Sequence, residues 1–255
     1  MNFAEFLSVA EHAHYPFKSY PRQKCKTVLF PGCAFPSQFP KTMDALSLLC
    51  REAGLGVAFD CCGSPLGGYG RQKGAERIIG NLNRRFKDMG CERVVLVCPS
   101  CWQFLTGKVD CEIVSVFDLF EELGVRNANE FAEGVLFVPC PDRQQHVWEA
   151  QLRSLYDLSE VPTITSAPCC GLRPDLVRKG PEYTAKLGRK AIEKAEGKTL
   201  YTYCASCLGQ FSRLGYDNCR HVVSVVLGVD EPADSKRALA NRAKRKFDRN
   251  VEPLS

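Results

Sequence analysis

Phe59-Asp60-Cys61-Cys62-Gly63 and Ala167-Pro168-Cys169-Cys170-Gly171 are the stretches around which the chain is organised. A lone cysteine precedes each, Cys33 or Cys140. A Cys-x-x-Cys pair follows each, Cys98 and Cys101 or Cys204 and Cys207. Equivalent cysteines stand 106–108 residues apart, and ten of the fifteen cysteines fall in the pattern. Two sets in register mark a duplicated unit, two copies of one metal-binding lobe.

The flanking sequence repeats with the cysteines. In the first copy Lys26–Pro31, Gly56–Phe59, Arg93–Val97 and Glu112–Val116 read as strands. Thr42–Ala53, Arg71–Met89, Trp102–Leu105 and Phe117–Leu123 read as helices, with Met43, Leu46, Leu49 and Cys50 on one face and Ile78, Ile79, Leu82 and Phe86 on another. In the second copy the strands are Val135–Val138, Pro162–Thr165, Thr199–Tyr203 and His221–Val226, and the helices Gln144–Leu155 and Pro174–Lys194. Strands alternating with helices imply an α/β fold: two similar tandem lobes with parallel sheets, related by a pseudo-twofold. Each cysteine group follows the carboxyl end of a strand, the edge where open α/β sheets gather ligands.

This divides the chain into an N-terminal extension (1–25), a first lobe (26–128), a second lobe (129–229) and a basic tail (230–255). The extension, with a short helix over Phe3–His12, reads as loose. The tail carries Lys236, Arg237, Arg242, Lys244, Arg245, Lys246 and Arg249, and reads as a solvated basic segment or a docking helix for an acidic partner.

The net charge of +5 is too mild, without a basic–aromatic stripe, to indicate nucleic acid. No apolar run reaches the length of a membrane span, and Met1–Phe17 lacks a secretory signal's basic start. These features point to a soluble cytoplasmic protein. In a reducing compartment clustered thiols hold metal or do redox chemistry.

Thiolates select zinc, copper(I) or iron–sulfur clusters. Tetrahedral zinc takes four ligands, whereas each set offers five, and adjacent Cys61 and Cys62 fit one zinc awkwardly. A multi-iron cluster lets neighbouring thiolates bind different irons. Five thiolates also exceed the one per iron of a cubane, so the count points to an unusual cluster or one free cysteine. Gly63 and Gly171 permit positive φ, so that amides can turn towards bridging sulfides.

Cys33…Cys61-Cys62-Gly63…Cys98-Pro99-Ser100-Cys101, with its second copy, resembles the cysteine-rich CCG domain. The tandem pair resembles the subunit of heterodisulfide reductase that carries two such motifs and, more distantly, iron–sulfur subunits of glycolate and lactate oxidation. The resemblance spans about 26–228. It implies two [4Fe–4S] clusters of non-cubane type, held by Cys33, Cys61, Cys62, Cys98 and Cys101 and by Cys140, Cys169, Cys170, Cys204 and Cys207, with zinc as the alternative at one site. It further implies reduction of a small disulfide, or the reverse thiol oxidation, between the clusters. Electrons would be exchanged with a ferredoxin-like iron–sulfur subunit or a flavoprotein subunit. The alternatives are an electron-transfer subunit without its own substrate and a zinc-binding scaffold.

Five cysteines, Cys25, Cys50, Cys91, Cys111 and Cys219, lie outside the repeat and read as small buried residues. Gly68-Tyr69-Gly70 grazes a dinucleotide fingerprint but has Lys73 in place of its third glycine, and reads as a loop over the first site. His146 reads as a packing or surface residue, and Trp102 as a shield for the site or as core.

Overall fold

The computed structural model describes residues 3–126, 131–248 and 251–254. The first lobe follows the helix α1 (Phe3–Ala13). It runs β1 (Thr27–Phe30), α2 (Phe35–Gln38), α3 (Pro40–Glu52), β2 (Gly56–Val57), α4 (Ser64–Gly68), α5 (Gln72–Asp88), β3 (Arg93–Leu96), α6 (Pro99–Leu105), β4 (Glu112–Ser115) and α7 (Val116–Glu122). The second runs β5 (Gly134–Leu136), α8 (Val147–Leu155), α9 (Pro174–Val177), α10 (Pro181–Glu193), β6 (Thr199–Thr202), α11 (Ala205–Arg213), β7 (Cys219–His221) and α12 (Val222–Val226). The helix α13 (Ala238–Lys246) follows. The expected lobe boundary at 128/129 and Arg249 of the basic run lie outside the described residues.

Both sheets are parallel. The first has the order β2-β1-β3-β4, pairing Val28 with Val94 and Val94 with Ile113; the second has the order β5-β6-β7, pairing Leu136 with Tyr201. The inner strands Thr-Val-Leu-Phe and Arg-Val-Val-Leu are apolar because helices cover both faces. The lobes share one continuous core, with Trp102 6.2 Å from Trp148 and Phe117 5.7 Å from Trp148, ring to ring. Between the lobes, α7 of the first meets α8 of the second, and α11 of the second meets α2 of the first.

Four expectations need correction. Pro162–Thr165 forms no strand, only an isolated parallel bridge from Thr163 to Leu136, because proline supplies no amide at that edge. The long helix from Pro174 breaks into α9 and α10 at Gly180-Pro181, where Gly180 takes φ +100° and Pro181 starts the new helix. The helix predicted from Gln144 begins only at Val147, where the Asp142 carboxylate accepts the amides of Trp148 and Glu149 at 3.2 and 3.0 Å. The valine run after His221 is the helix α12. His221 Nδ1 accepts the Val223 amide at 3.2 Å, as Ser115 caps α7 in a capping box at the matching place.

The described parts of the extension and of the tail are packed, not loose. The extension packs through α1 against α4, α5 and α9, with Glu5 paired to Arg178 at 3.3 Å and Tyr15 buried. The tail packs through α13 against α2. Asn241 donates to Ser37 O at 3.0 Å, and the buried Arg245 donates to Pro40 O at 2.8 Å and pairs with Asp44 and Asp248. Glu231 accepts the amides of Lys41 and Thr42 at the start of α3, at 2.8 and 2.7 Å. Val251 O then accepts the amide of Val57 in β2 at 2.9 Å. The basic charges are thus partly spent on internal partners. Among the described residues no helix is long and apolar enough to cross a membrane.

Candidate metal centres

The strand ends assemble each cysteine set. β1 runs through Pro31-Gly32 into Cys33, and a Cβ on Gly32 would stand 2.9 Å from Cys101 Sγ, so the lone cysteine arrives beside the Cys-x-x-Cys pair. Cys98 and Cys204 are the N-caps of α6 and α11, which places Cys101 and Cys207 in the first helical turns. The tandem cysteines follow β2 and the Thr163 bridge. Gly63 and Gly171 adopt φ +86° and +98°, and each donates its amide to the sulfur two residues back, Cys61 or Cys169, at 3.4 Å. A Cβ on Gly171 would lie 2.4 Å from Thr184 O, so close approach as well as positive φ demands glycine there.

Within each set the thiols lie as one chain of interacting neighbours. The order is Cys33–Cys61–Cys62–Cys101–Cys98 in the first lobe and Cys140–Cys169–Cys170–Cys207–Cys204 in the second. Cys207 donates to Cys170 with their sulfurs 3.2 Å apart. The chain splits the acidities. Hydrogen bonds from Cys101 and Cys61 pull Cys62 down to about 6. Hydrogen bonds from Cys101, Cys140 and Cys207 hold Cys98, Cys169 and Cys204 respectively below the usual thiol range. Their neighbours go the other way. Cys33 is raised by its bond to Cys61 and by burial, and Cys101 by its bonds to Cys62 and Cys98. Cys61 is lowered by Cys33 but raised more by Cys62 and burial, and ends high. Cys140, Cys170 and Cys207 are raised by bonds to Cys169, Cys169 and Cys170. Each set thus holds two thiols towards the thiolate, the soft-ligand form, and three towards the neutral thiol.

Both sets open on one cavity of ≈ 870 Å³ between the lobes, lined by every cysteine of the pattern except Cys61. Cys98 and Cys204 are close enough for their charges to interact across it. Lys108, Arg173, Arg213 and Arg242 line the same cavity, with no aspartate or glutamate among its described residues. The donor set fits a multi-iron group: five soft ligands per set, gathered from three separate strand ends, with glycine amides turned to sulfur.

Residues that the cysteine pattern does not reveal hold the sets in place. Arg143 donates to the carbonyls of Val138, Ala167 and Pro168 at 2.8, 2.9 and 3.1 Å, tying the Cys140 loop to the Cys169 loop. In the first lobe Asp60 accepts the Cys61 amide at 2.7 Å and is held by Tyr20 and Lys18. His12, from α1, reaches Cys61 with Nδ1 3.2 Å from Sγ. Burial and then the charge of Arg242 lower its pKa to about 4, so the imidazole is neutral at pH 7. The only sequence signal was a histidine within a helix-forming N-terminus, too weak to connect with a cysteine 49 positions on.

The remaining cysteines stay apart from the sets. Cys25, Cys91 and Cys111 precede β1, β3 and β4, at the opposite sheet edge, and Cys111 donates to Cys91 O at 3.2 Å. Burial pushes Cys50 and Cys219 up to about 12. His146 turns to Glu149, at 2.6 Å, and Trp102 stacks towards Trp148 in the shared core. The Gly68-Tyr69-Gly70 turn borders the cavity at the lobe interface, where a Cβ on Gly68 would meet Pro174 at 2.4 Å.

Fold and site together define a two-lobed α/β protein built to bind metal or iron–sulfur centres. The profile of the cysteine-rich CCG domain matches residues 27–106 and again 134–212, and the chain belongs to that family. No curated protein matches it. Among solved structures it is similar to a glutamate racemase from Campylobacter jejuni subsp. jejuni, at 12% identity and a TM-score of 0.43, over 87% of this chain and 96% of that one. It is also similar to an aspartate racemase from Picrophilus torridus, at 12% identity and a TM-score of 0.36, over 86% and 99%. Likeness at this level bears on neither the fold nor the function of this chain.

Proposed function

We propose that the chain is the iron–sulfur subunit of a thiol–disulfide oxidoreductase complex, comparable to the tandem-motif subunit of heterodisulfide reductase, with one [4Fe–4S] cluster of non-cubane type in each lobe. The observation that carries this reading is the shared cavity. Two five-thiol sets face one space large enough for a small substrate. Reduction of a disulfide RSSR′ takes two electrons and two protons and yields RSH and R′SH. The clusters supply the electrons one at a time when bound, and a partner subunit of iron–sulfur or flavin chemistry replenishes them.

The chain's own part is to bind and orient. Arg173 and Arg242 of the lining are paired with Asp175 and Glu11, so it is chiefly Lys108 and Arg213 that favour an anionic substrate. Asp60 and Arg143 fix the loops that carry the ligands. With α13 packed into the fold, the partner docks elsewhere than on a free basic tail. The reducing cytoplasm is the compartment in which such thiols persist.

A second reading, an electron carrier without its own substrate, draws on the closeness of Cys98 and Cys204, which would let the two centres exchange electrons directly. One experiment separates the readings. Anaerobic, reduced protein is mixed with small anionic disulfides and followed by EPR. A disulfide-dependent change in the cluster signal supports the oxidoreductase, and an unchanged signal with intact clusters supports the carrier.

A further inference from the structure

The ten repeat cysteines do not exhaust the donors at the first centre. His12 belongs to α1, outside the residues matched by the family profile. The last turn of α1 is held firmly: Arg77 donates to Ala13 O at 2.9 Å, and Glu11 pairs with Arg242. The imidazole lies between the large cavity and a smaller one of ≈ 320 Å³ that it lines together with Cys61. One ligand atom each from His12, Cys33 and Cys61 all lie within 4.8 Å of one another. Donors around one tetrahedral cation, with metal–sulfur bonds of about 2.3 Å and metal–nitrogen bonds of about 2.0 Å, stand roughly 3.5–3.8 Å apart. Only a small contraction separates the observed cluster from that geometry.

Among the described residues the second lobe has no equivalent group. Beside Cys140 and Cys169 stands Arg143, spent on three carbonyls, and the nearby His146 is turned to Glu149. The duplicated cysteines therefore sit in different surroundings.

We propose that His12 is a metal donor, joining Cys33 and Cys61 at one metal ion of the first centre, so that the two lobes hold chemically inequivalent centres. A neutral nitrogen ligand added to the five thiolates leaves the charge of the first centre unchanged and gives it one harder donor that the second lacks. The proposal rests on the reading of the cysteine sets as metal ligands.

The test uses the full chain, reduced and metal-free, titrated anaerobically with Co²⁺. Sulfur-to-cobalt charge-transfer absorption reports the thiolates. Proton NMR reports the histidine, because the exchangeable N–H of a cobalt-bound imidazole is shifted far outside the ordinary range. The expected result is a shifted imidazole resonance in the wild type and in His14→Gln, but not in His12→Gln. With it goes a loss of about tenfold or more in affinity at one class of site in His12→Gln, the least that loss of a supporting group costs. Charge-transfer absorption without a shifted imidazole resonance in the wild type overturns the role of His12 and leaves the thiolate centres standing. A resonance that survives in His12→Gln overturns it equally. Absence of charge-transfer absorption defeats the metal-ligand reading and His12 with it.

Discussion

The sulfurs of Cys170 and Cys207 lie 3.2 Å apart although the residues are 37 positions apart in the chain. The contact joins the tandem cysteines after the Thr163 bridge to the first turn of α11. It shows how a parallel sheet gathers distant thiols: each arrives at the carboxyl end of its own strand.

Because the two sets are separate chains of thiols, removing one internal link should empty one lobe. Cys170→Ser is expected to cut bound metal by about half and leave the first lobe loaded, with Cys62→Ser doing the converse. Metal content of the two variants, prepared anaerobically, checks this. Loss of all metal in either variant would mean that the centres assemble as one unit.

Gly171→Ala should destabilise the protein by about 1–3 kcal/mol, from left-handed strain together with the clash against Thr184 O. Gly63→Ala should cost less, since its nearest neighbour is the Ile78 side chain at 3.2 Å, which can shift. Denaturant unfolding of the reduced, metal-free variants measures the order. Equal losses would show that φ alone sets the requirement.

The segment after the second lobe should matter to the fold. Glu231→Ala removes the acceptor for the Lys41 and Thr42 amides and for the Thr42 hydroxyl. A loss of about 2–3 kcal/mol is expected. Truncation after Asp230 should cost more, because it also removes α13 and the Val251 contact to β2. A truncated chain with wild-type stability would refute this account of the tail.

Much of the architecture was legible because it was written twice. The 106–108 residue offset identified the lobes, and apolar strands ending in cysteine located the site edge. The failures have physical causes. Short apolar runs such as Val222–Val226 do not reveal whether they are strand or helix; the His221 cap decides, and its counterpart Ser115 was available in the first copy. Gly180-Pro181 breaks the helix expected over Pro174–Lys194, because Gly180 takes φ +100° and Pro181 starts a new helix. The roles of His12, Arg143 and Glu231 arise from contacts between distant segments, which local patterns do not encode.

Acid should expose the buried His221. Burial lowers its pKa from 6.5 to about 3, so the fold favours the neutral ring while the unfolded chain takes up a proton below about 6.5. Its contribution is full above pH 6.5 and is lost as pH falls from 6.5 towards 3, at up to about 1.4 kcal/mol per pH unit. His12, lowered to about 4, adds a term of the same sign over the upper part of that window. Unfolding free energies of wild type and His221→Gln between pH 7 and pH 4 should converge as pH falls. Parallel curves would mean that His221 does not titrate on unfolding.

The central claim is that each lobe holds an iron–sulfur centre on its own five cysteines. Its most direct test is iron and acid-labile sulfide per chain in protein isolated without oxygen, alongside Cys62→Ser and Cys170→Ser. The account predicts iron and sulfide together in the wild type, with each variant losing one lobe's share of both. Stoichiometric zinc without sulfide at both sites would contradict it.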